Sequence, residues 1–283
     1  MEILRSKKEM QAWSEGVLAQ GLTIGLVPTM GYFHQGHLSL MEKGRPLCNR
    51  LVVSIFVNPT QFGENEDLDA YPIDIERDIE LAGKTGVDAV FLPTRDDMYA
   101  PGFQTYVELT DLPNHLCGKF RPIHFKGVAT VVTKLFNIVK PQVAVFGQKD
   151  YQQLQVIRRL TRDLDWNIRI EAGEIFREPD GLAMSSRNTY LSEEERSSAL
   201  SLSKALERAR QAVAEGTRDV TTLEQDVIRF ISSFAHTTVE YAEFCHPQTL
   251  ENVSTVEGKT LLALAVRVGN TRLIDNTVID PDN

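Results

Sequence analysis

Two short apolar runs near the N-terminus, residues 24–27 and 51–57, each stop at a polar, loop-forming segment. Pro28-Thr29-Met30-Gly31 follows the first and Asn58-Pro59-Thr60-Gln61 the second. Runs of this length, almost unbroken by polar residues, suit strands buried on both faces, which means a parallel sheet covered by helices. Two more runs, 89–92 and 143–146, follow a charged helical stretch at about 73–86 and an apolar-periodic one at about 127–139 that stops before Pro141. A helical pattern at about 151–164 and a strand-like 167–170 complete the series. Strand, helix, strand, repeated, predicts an α/β fold: a doubly wound parallel sheet with helices on both faces.

The rhythm changes after Arg177. Glu178-Pro179-Asp180-Gly181 is a turn signal, and Ser192 with Glu195 forms a capping box that opens a helical region to about residue 215. A second helical stretch at about 221–234 precedes strand-like segments at 239–244, 261–268 and 272–276. Helices followed by strands predict a smaller α+β domain, so the expected division is 1–176 and 177–283. The length of 283 residues suits two domains. No apolar run approaches the roughly 18 residues of a bilayer span. Glu2, Arg5, Lys7 and Lys8 have no apolar segment behind them, which argues against a secretory signal. Three widely spaced cysteines, Cys48, Cys117 and Cys245, read as reduced thiols of a cytoplasmic protein.

The net charge of −9 disfavours general attraction to nucleic acid or an anionic membrane. Locally the balance differs. Between residues 112 and 149 there is no Asp or Glu, whereas Lys119, Arg121, Lys126, Lys134, Lys140 and Lys149 all lie there. Residues 64–80 are strongly acidic, with only Arg77 opposing. One basic segment in an acidic chain suggests a confined site for a small anion; the alternative is lysines on solvated helix faces.

In open α/β sheets ligands gather at the carboxyl ends of strands. There, after the first strand, stand Met30, Gly31, Tyr32, Phe33, His34, Gln35, Gly36 and His37. The glycines let backbone approach a ligand, and a helix starting near Gly36 offers free N–H groups and a favourable dipole to an anion. His34 and His37, three residues apart, can face one ligand, donate to phosphate and move protons. Two histidines could also bind zinc, but no further ligands cluster with them in sequence, so no metal ligand is assigned. Neither the Walker nor the dinucleotide-binding glycine pattern is present.

The His34-Gln35-Gly36-His37 motif resembles the nucleotidyltransferase superfamily that includes class I aminoacyl-tRNA synthetases. Further segments follow in order: 56–62, 121–128, 146–153, 180–188 and Arg272-Leu273-Ile274-Asp275-Asn276. Together they resemble the pantothenate synthetase (pantoate–β-alanine ligase) family over nearly the whole chain. Ile123 stands where that family often has glycine, and Gln148 where an acidic residue is common.

The resemblance implies a Rossmann-like N-terminal domain binding ATP and pantoate, a C-terminal lid domain, and a homodimer. It implies ATP-dependent condensation of pantoate with β-alanine through a pantoyl adenylate, with Mg²⁺ on the phosphates, in pantothenate and coenzyme A biosynthesis. It further implies that residues 30–37, Gly147, Gln148, Lys149, Asp150, Phe176, Met184, Ser185, Ser186 and Arg187 form the ATP site. His37, His34, Lys149 and Arg187 would carry catalysis; Gln61 and Gln153, with Asn58, His124 and Arg121, would hold substrate. Asp150 is equally a ribose partner or a helix cap, and Met30 packs on substrate methyl groups or in the core. Two other readings are a nucleotidyltransferase acting on a phosphate ester and a non-catalytic nucleotide-binding module.

Overall fold

A computed structural model describes every residue except Asn65, Asp67, Asp69 and Asn283. Asp67 and Asp69, which belong to the acidic stretch noted above, therefore lie outside the described residues. The chain packs as two compact units. The first comprises Met1–Pro113, Arg121–Gln148 and Gln153–Glu174; the second comprises Asn114–Phe120, Lys149–Gln152 and Ile175–Asn283. Two short pieces reached before residue 176 thus pack with the second unit.

The elements in chain order begin with β1 (Glu2–Leu4), α1 (Lys7–Leu18), β2 (Ile24–Thr29), α2 (Gln35–Gly44), β3 (Arg50–Ile55), α3 (Ile75–Lys84) and β4 (Ala89–Phe91). They continue with α4 (Arg95–Met98), α5 (Leu116–Phe120), α6 (His124–Val139), β5 (Val143–Gly147), α7 (Tyr151–Asp163) and β6 (Arg169–Gly173). After these come α8 (Glu193–Ala199), α9 (Ser201–Ala214), α10 (Val220–Ser232), β7 (Thr237–Cys245), β8 (Thr260–Val268) and β9 (Thr271–Ile279).

The first unit holds a six-stranded sheet in the order β1-β4-β3-β2-β5-β6, parallel at every pairing. Alternation along the strands sorts its side chains into two cores. Ile24, Leu26, Val52, Ala89, Phe91, Ala144 and Phe146 face one way, against α1, α6 and α7. Val27, Leu51, Val53, Ile55, Val90 and Val145 face the other way, against α2 and α3. This is the doubly wound architecture that the sequence predicts. From β2 the chain first builds outward through β3 and β4, then returns to β5 on the other side. The strand order therefore reverses between β2 and β5, the place where such sheets bind ligands.

The second unit packs α8, α9 and α10 on an antiparallel sheet, β7-β8-β9, around its own core of Leu202, Leu206, Val227, Phe244, Leu262 and Leu264. The capping box at Ser192 and Glu195 is present. The helical region that it opens is two helices, α8 and α9, meeting at Leu200. Strand β1 and helix α1 were not anticipated, and α6 begins at His124 rather than near 127.

Candidate functional site

In the first unit, the turn leaving β2 is built from the strand outward. Thr29 Oγ1 donates to the Ser54 carbonyl at 2.8 Å and accepts from the Gly31 N–H at 3.2 Å. Gly31 and Tyr32 are both left-handed, with φ of +90° and +53°. Phe33 is buried to 1% exposure and anchors the turn in the α2–α3 core. His34 is then the N-cap of α2 in an extended conformation.

The two histidines meet. Their ring centroids are 4.0 Å apart and tilted by 31°. The His34 backbone N–H donates to Nδ1 of His37 at 3.3 Å. An Nδ1 that accepts carries no proton, so the neutral His37 ring holds its proton on Nε2 and is a donor there. The His37 and Leu38 N–H groups bond back to the His34 carbonyl. Helix geometry leaves those of Gln35 and Gly36 without an intrahelical acceptor. The end of β2 thus offers a helix N-terminus and imidazole donors at the sheet's switch point, the donor set for a phosphate chain. Gly147 and Gln148 leave β5 on the other side of that switch point. Among the described residues no group of three His, Cys, Asp or Glu could hold a metal ion.

A second set of first-unit residues gathers around the short 3-10 turn Pro59–Gln61. Asn58 is buried, and its amide is oriented from both ends. Its Oδ1 accepts from Tyr99 Oη at 2.8 Å and Thr60 Oγ1 at 3.0 Å. Its Nδ2 donates to the Gly127 carbonyl at 3.2 Å and to Gln61 Oε1 at 3.0 Å. That last bond orients Gln61 in turn, aiming its Nε2 at the Met30 sulfur, 3.4 Å away. A thioether is a weak acceptor, so the Gln61 amide is a donor ready for a better oxygen. His124 Nδ1 sits 3.0 Å from the Gln61 carbonyl, which can only accept; His124 therefore carries a proton on Nδ1.

Arg121 is committed elsewhere in the same cluster. Its guanidinium makes a two-pronged pair with Glu66, Nε to Oε1 at 2.6 Å and Nη2 to Oε2, and also donates to the Gln61 carbonyl at 3.3 Å. Burial alone would raise the Glu66 carboxyl, but the hydrogen bond and charge of Arg121 hold it below the usual range. Ile123 is an ordinary right-handed residue, φ −90° and ψ −14°, so this position does not require glycine. Gln153 stands on the first turn of α7, half-buried.

The second unit carries the remaining candidates. Lys149 and exposed Asp150 form the 3-10 turn entering α7. Burial pulls the Lys149 ammonium below the ordinary lysine value; Asp150 and Asp275 oppose that shift, and the Arg187 charge adds to it. The Lys149 ammonium thus sits in a mixed field, drawn by two carboxylates and opposed by one guanidinium. Phe176, which is exposed, and Met184 are brought together by a Met184 N–H to Phe176 carbonyl bond of 2.9 Å. They flank a bridge between Arg177 and Ala183. Ser185 caps the turn Ser186–Tyr190, and Ser186 is buried.

What fastens this loop lies far from it in sequence. Buried Asp275 takes both Arg177 nitrogens, at 2.7 and 3.0 Å, and Arg177 also donates to the Gly181 carbonyl. Asn276 Nδ2 donates to the Lys149 carbonyl at 2.9 Å. Glu178 accepts from Asn188 and Arg196. The available signal was an Asp-Asn pair inside an apolar strand, since buried polar residues need partners.

A family model for pantoate-beta-alanine ligase matches residues 2–278. A pantothenate synthetase of Desulforapulum autotrophicum is 60% identical over 282 residues, 100% of both chains. One of Desulfatibacillum aliphaticivorans is 54% identical over 99% of this chain and 100% of its own. Among solved structures, a pantothenate synthetase of Thermus thermophilus superposes with a TM-score of 0.92 at 41% identity, covering 98% of this chain and 99% of that one. A pantoate-beta-alanine ligase of Francisella tularensis, solved with beta-gamma ATP and beta-alanine, gives a TM-score of 0.83 at 32% identity, covering 100% and 98%.

Proposed function

The chain belongs to the pantoate–β-alanine ligase family, and we propose that the β2–α2 turn holds the ATP phosphates on which that family's reaction turns. The enzyme condenses pantoate with β-alanine at the expense of ATP. A carboxylate acylates poorly because its leaving group would be oxide. A pantoate carboxylate oxygen attacks the α-phosphorus, the bond to the bridging oxygen breaks, and pyrophosphate leaves. The β-alanine amine then attacks the acyl carbon of the adenylate and expels AMP.

The single observation that carries the assignment is the close His34–His37 ring pair at a helix N-terminus on the sheet's switch point. His37 Nε2–H and the first amides of α2 donate to phosphate oxygens, where charge builds as pyrophosphate departs. Lys149, Arg187, Ser185 and Ser186 add positive charge and hydroxyl donors. Gly147, Gln148, Asp150, Phe176 and Met184 complete the nucleotide contacts. Gln61, fixed by Asn58, donates to pantoate oxygens, and Gln153, His124 and Arg121 line the same substrate.

Mg²⁺ accompanies ATP. Its oxygen preference suits the phosphates, and no protein ligand is proposed for it. The family resemblance also supports a homodimer, and the three unpaired cysteines suit the cytoplasm. Isotope exchange between pyrophosphate and ATP tests the reaction: it should require pantoate but not β-alanine. Release of ADP and orthophosphate would refute it.

A further inference from the structure

Among the described residues of the first unit, the most deeply buried carboxylate belongs to a residue with no assigned part in the reaction. Asp78, in α3, is 0% exposed. Its Oδ2 accepts from the Tyr32 N–H and its Oδ1 from the Phe33 N–H, both at 2.6 Å. These distances are those of charge-assisted bonds. The amides belong to the turn in which Gly31 and Tyr32 are consecutively left-handed, a conformation that a residue with a Cβ resists. Glycine is needed at position 31 for a second reason: a Cβ there would stand 2.9 Å from Asp78 Oδ2 and from Ile55 Cγ2. Turn and carboxylate are fitted to one another.

Burial raises the Asp78 carboxyl, while the two amides and Arg77 lower it and Asp74 raises it. A negative charge so close to a phosphate site opposes ligand binding, so its presence needs a reason. A carboxylate offers two acceptor oxygens to two N–H groups. Asparagine would turn an NH₂ toward one of them and leave a donor facing a donor.

We propose that Asp78 is a positioning residue that pre-forms the phosphate-binding turn by holding the Tyr32 and Phe33 amides inward. This leaves the Gln35 and Gly36 amides as the outward donors. The inference rests on the ATP assignment above. Its consequence is a division of labour among the turn's amides: those of Tyr32 and Phe33 serve the fold at all times, and those of Gln35 and Gly36 serve the ligand only.

Kinetics of Asp78→Asn read this directly. If the turn is formed in about a tenth of the variant molecules, the apparent ATP affinity falls about tenfold, because ligand must select the formed state. The ATP KM should therefore rise about tenfold or more, while kcat at saturating ATP and the pantoate KM stay near wild type. A purely structural role would lower the melting temperature and leave the KM values of the folded fraction unchanged. A folded variant with the wild-type ATP KM overturns the proposal. Asp78→Ser, smaller and uncharged, gives the same comparison if Asp78→Asn fails to fold.

Amide hydrogen exchange on the wild-type enzyme needs no variant. Tyr32 and Phe33 should be protected without nucleotide, and Gln35 and Gly36 only when ATP is added. Tyr32 and Phe33 amides that exchange freely until ATP binds would refute the positioning role. Exchange at all four sites unaffected by ATP would instead refute the ATP assignment and take the proposal with it.

Discussion

Gly127 makes the spacing of the Gln61 turn measurable. It lies in α6 with its Cα facing the backbone of the preceding turn, and a Cβ added there would fall 2.4 Å from the Thr60 carbonyl oxygen, 2.5 Å from the Thr60 carbonyl carbon and 2.6 Å from Gln61 Cα. Ordinary van der Waals contact begins at 3.4 Å, so Gly127→Ala demands a displacement of 3.4 − 2.4 = 1.0 Å. The obstructing atoms are backbone, so no side chain can swing away; helix and turn must part. The Asn58–Gly127 bond that helps to orient Gln61 lies in the same gap. Overpacking of this kind costs about 1–3 kcal/mol, and alanine's better helix propensity returns about 1 kcal/mol. The net loss of stability is about 0–2 kcal/mol, small enough for the variant to fold. Catalysis should suffer more, since a 1 Å misplacement of a positioned group costs on the order of 100-fold. The assay is pantoate-dependent exchange between pyrophosphate and ATP across a pantoate series, with thermal melts alongside. kcat/KM for pantoate should fall on the order of 100-fold with the ATP KM unchanged. A folded Gly127→Ala enzyme with wild-type kcat/KM for pantoate would refute the claim that this backbone contact sets the position of Gln61.

Lys149→Ala and His34→Ala should each cost at least about 2.7 kcal/mol of transition-state stabilisation, on the scale of a lost oxyanion donor. Single-turnover adenylate formation at a near-normal rate in both would contradict their roles. Gln61→Ala should weaken pantoate more than ATP, and titration calorimetry giving the opposite order would remove Gln61 from the substrate site. The pH dependence of ATP binding follows from the lowered Lys149 ammonium. Its charge is present below its folded-state pKa and lost as pH rises through it, so the ATP KM should climb in a window below the ordinary lysine value. Lys149→Arg, which stays charged, should abolish the climb; a wild-type KM that is flat up to the ordinary lysine range would disprove it.

The parallel sheet and the β2–α2 turn proposed to meet phosphate were legible because they are written locally. Strands buried on both faces must be nearly continuous apolar runs, and a turn that meets phosphate needs glycine, free amides and imidazole within a few residues. The helix starting beside His34 and the capping box at Ser192 were equally readable, since a cap is a matter of adjacent side chains. Strand β1 has only three residues, too few for any period to show. The extent of α8 and α9 was hidden because Leu200, where they meet, is right-handed in backbone and carries no breaking residue.

What only the tertiary structure decided is the set of partners that fix the candidate site's groups. Asp78 stands 46 residues from Tyr32, Asn58 lies 69 from Gly127, Arg177 lies 98 from Asp275, and Asn276 lies 127 from Lys149. Nothing in the local pattern of Asp78 distinguishes it from the acidic residues beside it, because burial is a property of the packed helix and not of the residue. The sequence by itself determined which chemical groups arrive at the strand ends. Folding determined their orientation, because a buried carboxylate or amide must satisfy its hydrogen bonds with whatever backbone the fold brings to it, and in doing so it holds that backbone in place.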